Sequence, residues 1–263
     1  MTGKTEMIKK NITGADPILL DNNSRVGVLM FHGFTSTPRQ FKELSQALSD
    51  RGLTVYAPTL AGHGASPADL QQTTVSDWQD KAEADYQELK RRVEKIFIIG
   101  VSFGGNVAFY LARKFPETTA GVISLGTPIR LRFQRLIKLR VCLYGWLKPY
   151  YSKPRRVYRT DYIDMADEMS YPVVPIKALR QFFKFIKYET VANLGQVKTP
   201  AMIMHATNDP VVNPKSAQYL HENLGSSYKL IYWFESNLHT IVDENLKEEV
   251  FLKISQFIDE LGK

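Results

Sequence analysis

Short apolar runs of strand length recur along this chain, at 26–31, 53–57, 95–99, 120–125, 200–206 and 228–234. Between them the apolar residues fall at helical spacing. Phe41, Leu44, Ala47 and Leu48 mark the buried stripe of a helix that ends near Gly52, with Thr37 as its N-cap and Pro38 in its first turn. Further helices are expected from Ser76, as cap, to about Val93, and from Asn106 onward. Two more are expected over 214–224 and over 244–261, the last capped by Asp243. Residues 1–17 form a polar lead-in, and 17–21 a short edge strand. Strand and helix alternate closely up to residue 127, which predicts an α/β fold with a mostly parallel sheet and helices on both faces. The rhythm breaks over 128–195 and then resumes. A sheet core of 1–127 and 196–263, interrupted by an inserted cap at 128–195, is the simplest organisation.

A chain of 263 residues can bury one large α/β core. The one cysteine, Cys142, excludes an internal disulfide framework and a thiolate metal cluster, and a small packing role in the cap is expected for it. The first residues are polar with no apolar stretch of signal length behind them, and no apolar run is long enough to span a bilayer. A soluble cytoplasmic protein is therefore expected. The net charge of +7 is local: ten of the 34 basic residues lie between Pro128 and Thr160 with no acid among them, which leaves 24 basic against 27 acidic residues elsewhere, a net of −3.

The chemistry gathers behind the strands. The apolar run at 95–99 stops at Gly100-Val101-Ser102-Phe103-Gly104 and a helical pattern follows, so Ser102 sits at the apex of a tight strand-to-helix turn where side chains at Gly100 or Gly104 would collide with their neighbours. A serine hydroxyl needs a base, and the base needs an acid to fix its tautomer. In an open parallel sheet such groups collect past the carboxyl ends of the strands. His239, between the last strand and the last helix, is the favoured base. His32 and His63 suit loop bracing, His205 a buried hydrogen-bonded position at a strand end, and His221 a helix surface. Asp209 follows the 200–206 strand and is the favoured acid, because Glu235 and Asp243 stand too close to His239 in sequence to reach around its ring.

The order Ser102, Asp209, His239, the turn at Ser102 and the His32-Gly33 loop resemble an α/β-hydrolase. The stretches His32-Gly33-Phe34-Thr35-Ser36-Thr37-Pro38, Leu60-Ala61-Gly62-His63-Gly64, Asn208-Asp209-Pro210-Val211-Val212 and Met169-Ser170-Tyr171-Pro172 resemble bacterial monoacylglycerol lipases and small carboxylesterases more narrowly. The resemblance implies ester hydrolysis without a cofactor or metal. It implies that the backbone amides of Phe34 and Phe103 form an oxyanion hole. Their rings would line the substrate pocket, although Phe103 is bulkier than the residue usual there. A small acyl ester or lipid is the implied substrate, with lysophospholipids or thioesters as alternatives. A proline-iminopeptidase activity would call for an acidic pair in the cap, which is not evident. A hydrolase-fold binding protein without catalysis is the reading from another class.

The basic stretch departs from these relatives. On a helical wheel Arg130, Arg132, Arg135, Lys138 and Arg140 spread around the whole circumference, which does not describe an amphipathic membrane helix. A solvated cap surface competes with attraction to an anionic membrane surface or to anionic head groups. Nucleic acid is not an expected partner, because no binding motif accompanies the charge.

Overall fold

The computed structural model describes residues 15–145, 147–153, 170–239 and 246–262. Along the chain come β1 (Ile18–Leu20), β2 (Val26–Phe31), a 3₁₀ turn (Pro38–Phe41) running into α1 (Lys42–Ser49), and β3 (Thr54–Ala57). Then follow α2 (Pro67–Gln72), α3 (Val75–Lys90), β4 (Lys95–Val101), α4 (Phe103–Lys114) and β5 (Thr119–Leu125). After β5 stand α5 (Gln134–Tyr144), β6 (Tyr150–Ser152), β7 (Val173–Pro175) and α6 (Ile176–Phe185), which continues through a π turn (Ile186–Thr190) and a 3₁₀ turn (Val191–Gln196). The chain closes with β8 (Ala201–Ala206), α7 (Lys215–Asn223), β9 (Lys229–Phe234) and α8 (Lys247–Leu261).

Seven strands form one sheet in the order β1-β3-β2-β4-β5-β8-β9, parallel throughout except for the edge strand β1. Alternation along the strands builds two cores. Leu29 and Phe31 of β2 and Ile96 and Ile98 of β4 face Trp78, Tyr86, Val107 and Leu111 on one side. Val28, Met30, Phe97 and Ile99 face Phe41, Leu44, Val250 and Phe257 on the other. Burial on both faces is why these strands read as unbroken apolar runs.

The expected elements appear with local differences. The cap of α3 is Thr74, not Ser76: Thr74 and Asp77 form a reciprocal capping box, which satisfies two amides where Ser76 could satisfy neither. The expected cap Asp243 lies outside the described residues, as do Trp146, Met169 and the arginines at 155, 156 and 159. Cys142 is exposed rather than packed.

The 128–195 stretch is more regular than its sequence suggests. β6 and β7 pair as a small antiparallel sheet. Helix α6 buries Leu179, Phe182 and Phe185 in the same core as β2 and β4. Helix α5 has the opposite character: Leu136, Leu139 and Leu143 are more than half exposed, as are Phe133 and Leu147 at its two ends. No described helix is long and apolar enough to cross a membrane.

Candidate active site

Strand β4 delivers Ser102 at φ 51° and ψ −121°, a conformation that costs a non-glycine residue on the order of 1–3 kcal/mol. The turn is held by Ser102 N–H donating to Leu125 O at 2.7 Å and Gly105 N–H donating to Ser102 O at 2.9 Å. Glycine is required beneath it. A Cβ on Gly104 would stand 1.9 Å from Phe31 O, and one on Gly100 would stand 2.3 Å from Gly104 O. Because Phe103 opens α4, its amide is one of the helix's four unpaired N–H groups, and the helix dipole adds to the positive field there.

The loop after β2 approaches from the other side, with a Cβ on Gly33 falling 3.5 Å from Ser102 Cβ. His32 braces this loop, as expected. Its Nε2 accepts from Leu60 N–H at 3.1 Å, which leaves Nδ1 protonated to donate to Gly33 O at 2.9 Å. Complete burial, together with nearby His63, holds its pKa well below the usual histidine value, so the ring is neutral. His63 also orders its own turn, with Nδ1 2.9 Å from Ala61 O, and burial pushes its pKa down to about 4.

Loops after β8 and β9 bring the acid to the base. Asn208 N–H donates to Ser236 O at 3.0 Å and ties the two loops together. Asp209 is fully buried, its Oδ1 accepting from Val211 N–H at 2.8 Å and Val212 N–H at 2.9 Å, while Oδ2 lies 2.7 Å from His239 Nδ1. Burial alone would raise the Asp209 pKa, but the His239 charge and these hydrogen bonds outweigh it and hold the carboxyl below the usual range. An ionised carboxylate only accepts, so Nδ1 carries a proton, and when the ring is neutral Nε2 is the acceptor. Glu235 is exposed, and His221 is half-buried near the end of α7.

His205 differs from expectation. It is buried, but neither ring nitrogen has a hydrogen-bond partner among the described residues, and Nε2 lies 3.6 Å from Asp209 Oδ2, beyond hydrogen-bond reach. Burial pushes its pKa down to about 4, offset only in part by the Asp209 charge.

Ser102 and His239 open into one cavity of about 520 Å³, whose wall includes Phe34, Leu136, Ile137, Val174, Leu179 and Phe182. The expectation that Phe103 lines the pocket is not met. Its ring is fully buried against Trp78 at 4.8 Å, Phe185 at 5.2 Å and Phe182 at 5.3 Å, so the bulky side chain fills core instead of narrowing the cavity. Among the described residues neither the Phe34 nor the Phe103 amide is taken by another hydrogen bond.

Two features were not read from the sequence. Tyr171, in the Ser170-Tyr171-Pro172 stretch, donates its amide to Thr35 O at 2.9 Å and its hydroxyl to Gly62 O at 3.3 Å, clamping the loop that carries Phe34. Arg132, Arg140 and Lys153 face the cavity itself. The charge run was visible, but its direction depends on where α5 and β6 lie.

The model of the serine aminopeptidase, S33 family matches residues 22–245, and the chain belongs to this family of hydrolases. The fold and the site thus define an α/β-hydrolase. More narrowly, the chain is 30% identical over 228 residues to the thermostable monoacylglycerol lipase of Bacillus sp. (strain H-257), covering 87% of this chain and 88% of that one. A carboxylesterase of Bacillus subtilis (strain 168) is 24% identical over 237 residues, covering 89% and 92%. A solved structure described with two metagenome-derived lipolytic enzymes, LipS and LipT, superposes with a TM-score of 0.83 at 28% identity, covering 95% of this chain and all of that one.

Proposed function

We propose that this protein is a serine carboxylesterase of the monoacylglycerol lipase type. The observation that carries the reading is the shared cavity: Ser102 at a strained turn and His239, held by Asp209, face the same largely apolar space. In this mechanism His239 Nε2 takes the Ser102 proton as Oγ attacks the acyl carbonyl. Asp209 stabilises the imidazolium, and the amides of Phe34 and Phe103 hold the oxyanion. His239 returns its proton to the leaving alcohol. Water, deprotonated by the same ring, then releases the acyl group from Ser102. The 128–195 segment serves as the cap, with α5 and α6 forming the wall for the acyl chain.

The family's name points to peptide amines, yet no carboxylate lines the cavity among the described residues, and an aminopeptidase must pair an ammonium group. Esters fit better. A fluorophosphonate probe should label Ser102. An ester series from short to long acyl chains should be hydrolysed with kcat at least about 10⁴-fold higher than in Ser102→Ala. Full activity in Ser102→Ala would remove the reading.

Contact with an anionic lipid surface belongs to the same proposal, on one observation. Although the basic residues of α5 spread around its axis, its exposed leucines do not: Leu136, Leu139 and Leu143 share one face, with Arg135 and Arg140 beside them. Co-flotation with vesicles containing phosphatidylglycerol, but not with purely zwitterionic ones, is the expected result. Equal flotation with both, or with neither, would remove this contact.

A further inference from the structure

Among the described residues, the wall of the catalytic cavity is charged in one sense only. Arg132, Arg140 and Lys153 line it together with Ser102 and His239, and no carboxylate lines it among the described residues. Lys153 Nζ donates to Ser170 Oγ at 3.0 Å. The two arginines make no ion pair among the described residues.

Arg132 is the more informative of the two. Its amide donates to Val211 O at 2.8 Å, and the neighbouring Leu131 bridges to Val212, so its backbone is fixed against the loop that carries Asp209. Its Nε is buried and has no hydrogen-bond acceptor among the described residues. A buried guanidinium donor without a partner is costly, and a neutral glycerol head group would supply only weak acceptors. A phosphate supplies charged oxygens in the geometry that a guanidinium fork takes best. Arg140, exposed on α5 with one side toward the cavity, adds a second fork without desolvation of its own. The rest of the wall, including Leu136, Ile137, Leu179 and Phe182, suits an acyl chain. A charge at the far end of that chain would have to lie along apolar surface, so the anion belongs on the alcohol.

We propose that this cavity selects single-chain acyl esters whose alcohol carries a phosphate, with the phosphate held by Arg132 and Arg140. The proposal rests on the esterase reading and names the substrate class for that site. Ser102 Oγ forms the new acyl bond as the ester C–O bond breaks. The phosphorylated alcohol leaves with the proton from His239, and one water then converts the acyl-serine to a free fatty acid and serine. The phosphate ester linkage is untouched.

The test compares 1-lauroylglycerol with 1-lauroylglycerol 3-phosphate, both below their aggregation limits, on the full-length protein. The expected ratio of kcat/KM is about tenfold or more in favour of the phosphate ester, carried mainly by KM. Raising salt from ~50 to ~500 mM should lower that ratio, because the arginine at the mouth is screened. Arg132→Gln combined with Arg140→Gln should cut the ratio about tenfold, and Arg140→Lys should restore part of what Arg140→Gln loses. Should the double variant fail to fold, the exposed Arg140→Gln alone must still lower the ratio. A ratio of one or less, or one that neither salt nor Arg140→Gln moves, overturns the proposal and leaves the esterase reading in place. Folded protein that turns over neither ester overturns both.

Discussion

Asp209 divides its carboxylate between two tasks, giving Oδ2 to His239 Nδ1 at 2.7 Å and keeping Oδ1 on the amides of Val211 and Val212. In Asp209→Asn the carboxamide oxygen would stay on those two amides, so its NH₂ would face His239. The ring would then have to accept at Nδ1 and carry its proton on Nε2, the wrong tautomer for taking a proton from Ser102. Ester turnover should fall roughly 10³–10⁴-fold while the fold survives. Steady-state kinetics beside a circular dichroism melt check this, and a variant within threefold of wild type would contradict it.

Stability should fall as pH drops below neutral. His63 and His205 have folded pKa values of about 4 against an ordinary 6.5, because burial disfavours their charged forms. Between pH 6.5 and 4 the unfolded chain takes up protons that the folded protein does not, so the free energy of unfolding declines through that window. Each ring accounts for about 3 kcal/mol by pH 4. Asp209, held below its ordinary value, loses its own contribution only at lower pH still. Urea midpoints measured from pH 7 to 4 should decline, and less steeply in His205→Leu. A flat profile would contradict the assignment.

Two glycines make a matched pair. An alanine methyl at Gly104 would meet the Phe31 carbonyl, which is backbone and cannot swing away, so Gly104→Ala should cost about 3 kcal/mol or more and abolish labelling of Ser102. At Gly195, in the 3₁₀ turn before β8, a Cβ meets nothing within 4 Å. Gly195→Ala should be neutral, or stabilise by about 0.4–1 kcal/mol through the unfolded state. Thermal melts of both variants test the contrast.

Phe182 belongs to both core and cavity. It is buried, packs on Phe34 at 5.1 Å and Phe103 at 5.3 Å, and lines the space beside Ser102. Phe182→Ala should lose about 3–5 kcal/mol of stability and move the preferred acyl chain toward greater length. Unchanged chain preference in the folded variant would take Phe182 out of the acyl wall.

Much of the fold could be read in advance because doubly buried strands announce themselves. β2, β4 and β5 carry so little polar character that no other element fits them, and Gly100 and Gly104 mark the turn between β4 and α4. The pairing of His239 with Asp209 was legible for a similar reason, since both follow strands that end at the same edge of the sheet. What escaped depended on tertiary direction. Helix α6 has a regular apolar stripe, but Pro172, Pro175 and the preceding charge run hid it. The leucines of α5 share a face, but the charges around them drew the wheel. Whether the Phe103 ring entered the pocket or the core was decided by Trp78 and Phe185, more than twenty and eighty residues away in sequence.

β5 and β8 lie side by side and parallel, so the chain leaving Leu125 has to travel back to the opposite end of the sheet before Ala201 can begin. The stretch between them makes that return journey as well as forming the cavity wall. Its later part, from Ile176 through Gln196, carries Phe185 and Leu194 into the main core and is tied to the route. Among the described residues of its earlier part, from Leu131 to Pro175, the Leu131–Val212 bridge and the Tyr171 clamp tie it to loops at the edge of the sheet. A chimera that borrows another hydrolase's specificity should therefore exchange residues within 131–175. A splice point beyond Ile176 would trade away the connection that lets the sheet close.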